Sequence, residues 1–214
     1  VKINLAEGGL IVIFVLVLLI GSIRAGLIVA SVIPLSMLMT FSFMNLMGMS
    51  ANLMNLGAVD FGLIVDGAII VVEAVLHGIH TNPKFKKIML SQSQIDDLVY
   101  NSASKIRRSA TFGEIIILVV YMPILSLAGV EGKMFHPMAI TVSLTILSAL
   151  ILSLTYVPMI SSLLLRKEGM KHFKISDKIV DSLYGLYEPI VKKALFYKNW
   201  VITIAVALFI GSII

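Results

Sequence analysis

Five stretches of this chain are apolar for long enough to cross a lipid bilayer, and that property removes most of the folds open to 214 residues. A hydrocarbon layer about 30 Å thick asks about 20 consecutive apolar residues of a spanning helix. Backbone polar groups in lipid must be satisfied within the segment, so helices fill such stretches. The runs extend from Gly8 to Ile23, Ala25 to Leu46, Ala51 to Leu76, Thr111 to Ala128 and Pro137 to Leu165, and a sixth begins at Trp200. Hydrophobic residues are 58% of the chain and charged ones only 14%, which excludes a soluble globular domain. The expected fold is all-α, a polytopic transmembrane helix bundle in a lipid bilayer. The first run is not read as a cleavable signal peptide, since Lys2 and Glu7 make a poor positive leader and no small-residue cleavage site follows.

Within the third run stand three acids, Asp60, Asp66 and Glu73. A carboxylate at membrane depth is costly unless paired, hydrated or protonated, so each is a candidate functional residue. At about 100° per residue, Asp66 and Glu73 share a helix face, whereas Asp60 lies about 120° away from Asp66. With an outer end near Ala51, Asp66 falls near the bilayer midplane, Asp60 about 9 Å further out and Glu73 near the inner interface. Asp66 is therefore the foremost proton-carrier candidate. Gly57, Ala58, Gly62, Gly67 and Ala68 are interleaved with the acids and would let neighbouring helices approach closely. Glu114, opening the fourth span, is read either as a fourth acid in the pathway or as an interfacial or helix N-terminal carboxylate.

The net charge of +5 could suggest nucleic acid, but the placement of the basic residues reports topology instead. Arg24 lies in the first turn. Lys84, Lys86, Lys87, Lys105, Arg107 and Arg108 follow the acidic helix, and Arg166, Lys167, Lys171, Lys174, Lys178, Lys192, Lys193 and Lys198 fill the last long connection. The positive-inside rule places these three connections in the cytoplasm. The connections from Asn45 to Asn52 and from Gly129 to His136 carry only Lys133 and face outward. No nucleic-acid partner is expected.

Zero cysteines exclude thiolate metal sites and disulfides in this chain. Met37, Met39, Met44, Met47, Met49 and Met54 crowd one outward hairpin, where thioether sulfur could serve Cu(I) or act as adaptable packing. His77 and His80 have a helical spacing open to metal but also suit a solvated interface, while His136 and His172 are scattered. Asn82 and Pro83 mark a turn. A short surface helix is expected near Gln94 to Lys105, because Ile95, Leu98, Val99 and Ile106 recur at helical spacing. From Ser176 to Leu195, Ile179, Val180, Leu183, Leu186, Tyr187, Ile190 and Val191 share one face opposite Lys178, Asp181, Lys192 and Lys193. This predicts a helix lying in the cytoplasmic interface. Pro189 predicts a kink or break within it.

The block DFGLIVDGAIIVVE from Asp60 to Glu73 resembles the fourth-helix signature of the resistance-nodulation-division (RND) transporters, in their heavy-metal efflux branch and its cobalt-zinc-cadmium subgroup. IRAGLI at Ile23 to Ile28, IPLS at Ile33 to Ser36, YMPILSLAGVEGKMFHPMA at Tyr121 to Ala139 and TYVP at Thr155 to Pro158 resemble further landmarks of that family in the same order. The likeness extends over essentially the whole chain.

The resemblance implies half of an RND-type transmembrane domain. Residues 1–76 would be helices two to four with a relay helix over 52–76. Residues 77–110 would be a cytoplasmic connection, 111–165 helices five and six, 166–198 the interfacial helix and 199–214 the start of helix seven. The chain would then be a fragment of a much longer inner-membrane transporter with large periplasmic domains. Asp60, Asp66 and Glu73 would inherit a proton-relay role, with basic partners on a tenth helix outside this sequence. The single aspartate in Val65-Asp66-Gly67, where multidrug members carry two, favours metal ions over organic substrates. Ala74 departs from the asparagine of many members. Implied with this are proton/metal antiport without a cofactor, a homotrimer, a periplasmic adaptor protein and an outer-membrane channel. Other readings are an RND-type multidrug pump, a non-pumping sensor or scaffold, and an intramembrane aspartyl protease. The protease would need aspartates on facing helices, and both aspartates here share one.

Overall fold

A computed structural model describes residues 2–49, 60–81, 91–165 and 174–212. Gly57, Ala58, Met54, the Asn82 and Pro83 turn, His172 and the basic residues at 84, 86, 87, 166, 167 and 171 lie outside the described residues, as does the expected outer end of the acidic helix at Ala51. Among the described residues all regular structure is helical. The helices are α1 (Lys2–Ile20), α2 (Ile23–Leu46), α3 (Phe61–Thr81), α4 (Gln92–Leu125), α5 (Gly129–Leu154), α6 (Tyr156–Leu164), α7 (Lys174–Phe196) and α8 (Lys198–Gly211).

Four of these, α2, α4, α5 and the 61–79 part of α3, are long and apolar enough to cross a membrane; α1 contributes a shorter apolar helix over Glu7–Ile20. The chain is thus a multi-pass membrane protein. It divides into two compact units, Val1–Lys171 and His172–Ile214.

In the first unit α3 packs against α1, α2, α4, α5 and α6. The core joins Val29 and Val32 of α2, Val71, Val72 and Val75 of α3, Val99 of α4, Ala149 of α5 and Val157 of α6. Helices in lipid associate through such close van der Waals packing and small residues rather than through loss of water. Between α1 and α2, Gly21 takes φ 70°, a left-handed turn conformation that costs glycine little. Gly26 then lies so close to α1 that a methyl group there would stand 2.8 Å from the Val17 Cα.

Side-chain hydrogen bonds tie the helices of this unit to one another. On one side the Arg24 guanidinium at the start of α2 donates to the Leu164 carbonyl at the end of α6, 3.5 Å away. There Gln92, opening α4, donates to the Ser162 carbonyl at 3.3 Å. Elsewhere the Thr141 hydroxyl, halfway along α5, meets the Met44 sulfur near the end of α2 at 3.8 Å. Met44 is buried in that contact, as the packing reading of the methionines expects.

Three boundaries differ from expectation. The surface helix near Gln94 to Lys105 and the fourth span are one continuous 34-residue helix, α4. Ser102 and Leu98 of its first half pack on Gly78 of α3, so the polar segment is held against the bundle and has no reason to break. The run from Pro137 to Leu165 instead starts as helix at Gly129 and is interrupted at Thr155, whose φ of −116° leaves the helical range. Pro158 is the cause, because its ring clashes with the carbonyl four residues earlier and it offers no N–H.

In the second unit α7 continues through Pro189, and the sharp bend of 89° falls instead at Tyr197, between α7 and α8. Pro189 removes only the bond to the Gly185 carbonyl, which this exposed helix leaves open to other donors. A helix resting in the interface followed by one that enters the bilayer requires such a right angle. Tyr184, Leu186, Tyr187 and Ile190 form an exposed apolar face on α7 suited to that position.

Candidate functional site

The acids take their positions from the packing of α3. Ile64, Val65, Ala68, Val71, Val72, Val75, Leu76 and Ile79 are buried on one side of the helix. Gly62, Asp66, Ile70, Glu73 and His77 are exposed along the other. Successive members of that second set are three or four residues apart, which keeps them within about 80° of arc. The shared face expected for Asp66 and Glu73 is therefore present, and this unit leaves it uncovered. Among the described residues the remaining positions of α3 up to Ile79 are buried or half-buried. His77 ends the stripe, its Nε2 lying 3.3 Å from the Thr81 hydroxyl.

Asp60 stands apart. It immediately precedes α3, and its carboxylate accepts a 2.8 Å hydrogen bond from the Gly62 N–H, satisfying one of the donors that a helix start leaves free. Gly62 lies at the exposed end of the stripe beside it; Gly57 is outside the described residues.

Glu114 is not at a helix N-terminus, because α4 begins at Gln92, six turns earlier. Its side chain is 5% exposed, and neither carboxyl oxygen has a hydrogen-bond partner. It lies against Gly67, the residue after Asp66. A methyl group at Gly67 would collide with the Glu114 Oε1 and approach the Ser153 Oγ of α5 to 3.1 Å. Asp66 is thus the chain neighbour of the glycine against which Glu114 rests. Gly67 thus serves a purpose that close helix approach alone does not describe: it makes room for an acid. Two partners escaped the sequence reading. Thr111, one turn before Glu114, has a buried hydroxyl also without a partner. The Ser153 hydroxyl is turned back to the Leu150 carbonyl at 2.9 Å. Hydroxyls so often bond within their own helix that nothing in the sequence sets these two apart.

No lysine or arginine occurs in α3 or α6, and none in α2 beyond Arg24. Among the described residues no group of three or more His, Cys, Asp or Glu side chains could hold a metal ion. What the arrangement offers is a set of ionisable carboxyls, two of them on a face of α3 that is exposed in this unit.

Known proteins share this arrangement of sequence and fold. The chain is 43% identical over 205 residues to the cobalt-zinc-cadmium resistance protein CzcA of Cupriavidus metallidurans, covering 96% of this chain and 19% of that protein. It is 43% identical over 215 residues to protein HelA of Legionella pneumophila, covering 100% of this chain and 20% of that one. A crystal structure of a heavy metal efflux pump, crystal form II, superposes with a TM-score of 0.76 at 33% identity, over 98% of this chain and 18% of its own. The chain spans about a fifth of the length of the curated relatives it matches. The model of the AcrB/AcrD/AcrF family matches residues 1–214, and the chain belongs to that family of RND transporters.

Proposed function

We propose that this chain is the proton-relay half of the membrane domain of a proton-driven cation antiporter that exports heavy-metal ions of the cobalt, zinc and cadmium type. Such a pump works in the bacterial inner membrane and takes its energy from the proton motive force, with the metal ion as cargo and no cofactor. A homotrimer joined to a periplasmic adaptor protein and an outer-membrane channel completes the assembly. The likeness to CzcA supports the substrate class.

One observation carries the mechanism: Asp66 and Glu73 occupy the exposed face of a helix whose opposite side is buried against its neighbours. Acids placed so would meet basic side chains of a facing helix, and each protonation would remove a charge from that contact. A proton crossing the membrane potential contributes about 2.3 kcal/mol per 100 mV. A few protons therefore suffice to bias two conformations separated by a few kcal/mol. Asp66 carries the proton, Glu73 connects it toward the inner interface, and Asp60 does so toward the outer end.

The test is metal-dependent proton flux in everted vesicles holding the native-length protein, with zinc, cobalt, cadmium and Cu(I) compared. Asp66→Asn is expected to bring flux to background while membrane insertion is kept. Preserved metal-coupled flux in that variant would sink the assignment.

A further inference from the structure

We propose that Glu114 is a fourth proton-binding carboxyl of this membrane domain, housed in the notch left by Gly67 and exchanging its proton beside Asp66. The proposal rests on the proton-carrying reading of Asp66. Glu114 is 95% buried, since only 5% of it is exposed, yet both carboxyl oxygens lack a hydrogen-bond partner. Evolution of a core for packing alone would fill this place with leucine or methionine. An ionised carboxylate without a partner is strongly disfavoured there, whereas a protonated one is tolerated. The arrangement therefore suits a carboxyl that holds its proton while α3 and α4 are packed as seen. It can lose that proton only when the contact at Gly67 opens or Asp66 gives up its own charge.

The groups around it are few. From α3 it meets the bare backbone at Gly67, the residue after Asp66, and on the α5 side of that notch is the Ser153 hydroxyl, already committed to Leu150. The ionisable residues of α5, namely Glu131, Lys133 and His136, belong to its first three turns, far along the helix from Ser153. Tyr156 of α6 is engaged with Ser31, 3.1 Å away. On α4 itself the Thr111 hydroxyl is the polar neighbour one turn away, and Arg107 and Arg108 are exposed. Nothing among these neutralises an ionised Glu114 by pairing with it. A charge on Asp66, one residue from the notch, disfavours a second charge on Glu114, so the two titrations would be linked.

The experiment is infrared difference spectroscopy across a pH titration of the metal-free, native-length protein in lipid nanodiscs, reading the carbonyl stretch of protonated carboxylic acids. The native protein is expected to show a titrating band that is missing in Glu114→Gln and present in Asp66→Asn with a displaced midpoint. Gly67→Ala keeps every ionisable group and should move the same band in frequency, which covers the case in which Glu114→Gln does not fold. Superimposable spectra for native protein and Glu114→Gln, or a band indifferent to Gly67→Ala, would overturn the proposal. Metal-coupled flux that survives Asp66→Asn would overturn the antiport reading instead, whatever the spectra of Glu114→Gln show.

Discussion

Two glycines illustrate how an absent side chain has different costs. At Gly26 the obstacle to a methyl group is the backbone of α1 at Val17, which cannot move without shifting a whole helix. Gly26→Ala is expected to destabilise the bundle by about 1–3 kcal/mol, read as a lowered thermal unfolding midpoint in detergent. At Gly67 the obstacle is the end of a flexible glutamate. Gly67→Ala should therefore leave the unfolding midpoint closer to native than Gly26→Ala does, while proton-coupled flux falls because Glu114 has been displaced. The reverse ranking of the two unfolding midpoints would show that the Gly67 notch is structural. Asp66 stood out as a candidate in the sequence, since an acid inside an apolar run has no cheap explanation. The burial of Glu114 was not, because two helices must be placed before a glycine on one can be seen to face an acid on the other.

Helix boundaries were legible where lipid dictates them and obscure where packing does. The apolar runs locate α2 and the inner part of α3 well, since length and hydropathy are set by the bilayer. They miss the first half of α4, a polar segment kept helical by contact with Gly78 and by Gln94, whose Oε1 accepts the Ser91 N–H at 3.2 Å. They also miss the break at Thr155, which depends on a proline three residues further on. Replacing that residue, Pro158→Ala, restores a backbone donor and is expected to join α5 and α6 into one helix. The measurement is amide hydrogen exchange at Thr155 and Tyr156, which should slow; unchanged exchange would assign the break to the packing of Tyr156 against Ser31 instead.

At the scale of the molecule, topology is the property most directly open to test. The chain has no cysteine, so a single one can be introduced as a reporter in a native-length protein freed of any others. Ser126→Cys, exposed at the end of α4, should react with an impermeant maleimide added from outside whole cells stripped of their outer membrane. Ser104→Cys, exposed in the first half of the same helix, should react only in everted vesicles. Labelling of both from one side would refute the orientation read from the basic residues. That experiment also bears on what α4 can transmit. Its 34 residues make a rod about 51 Å long in a layer about 30 Å thick. Glu114 stands about two-thirds of the way along from the Gln92 end, with about 33 Å of helix on that side and about 16 Å on the other. Pivoting at this point, the rod is geared: a tilt that shifts its outer end by a given distance swings the inner end about twice as far. If Glu114 binds a proton as proposed, the group that changes charge sits where the long and short arms of α4 meet, so one local event bears on both ends of the helix.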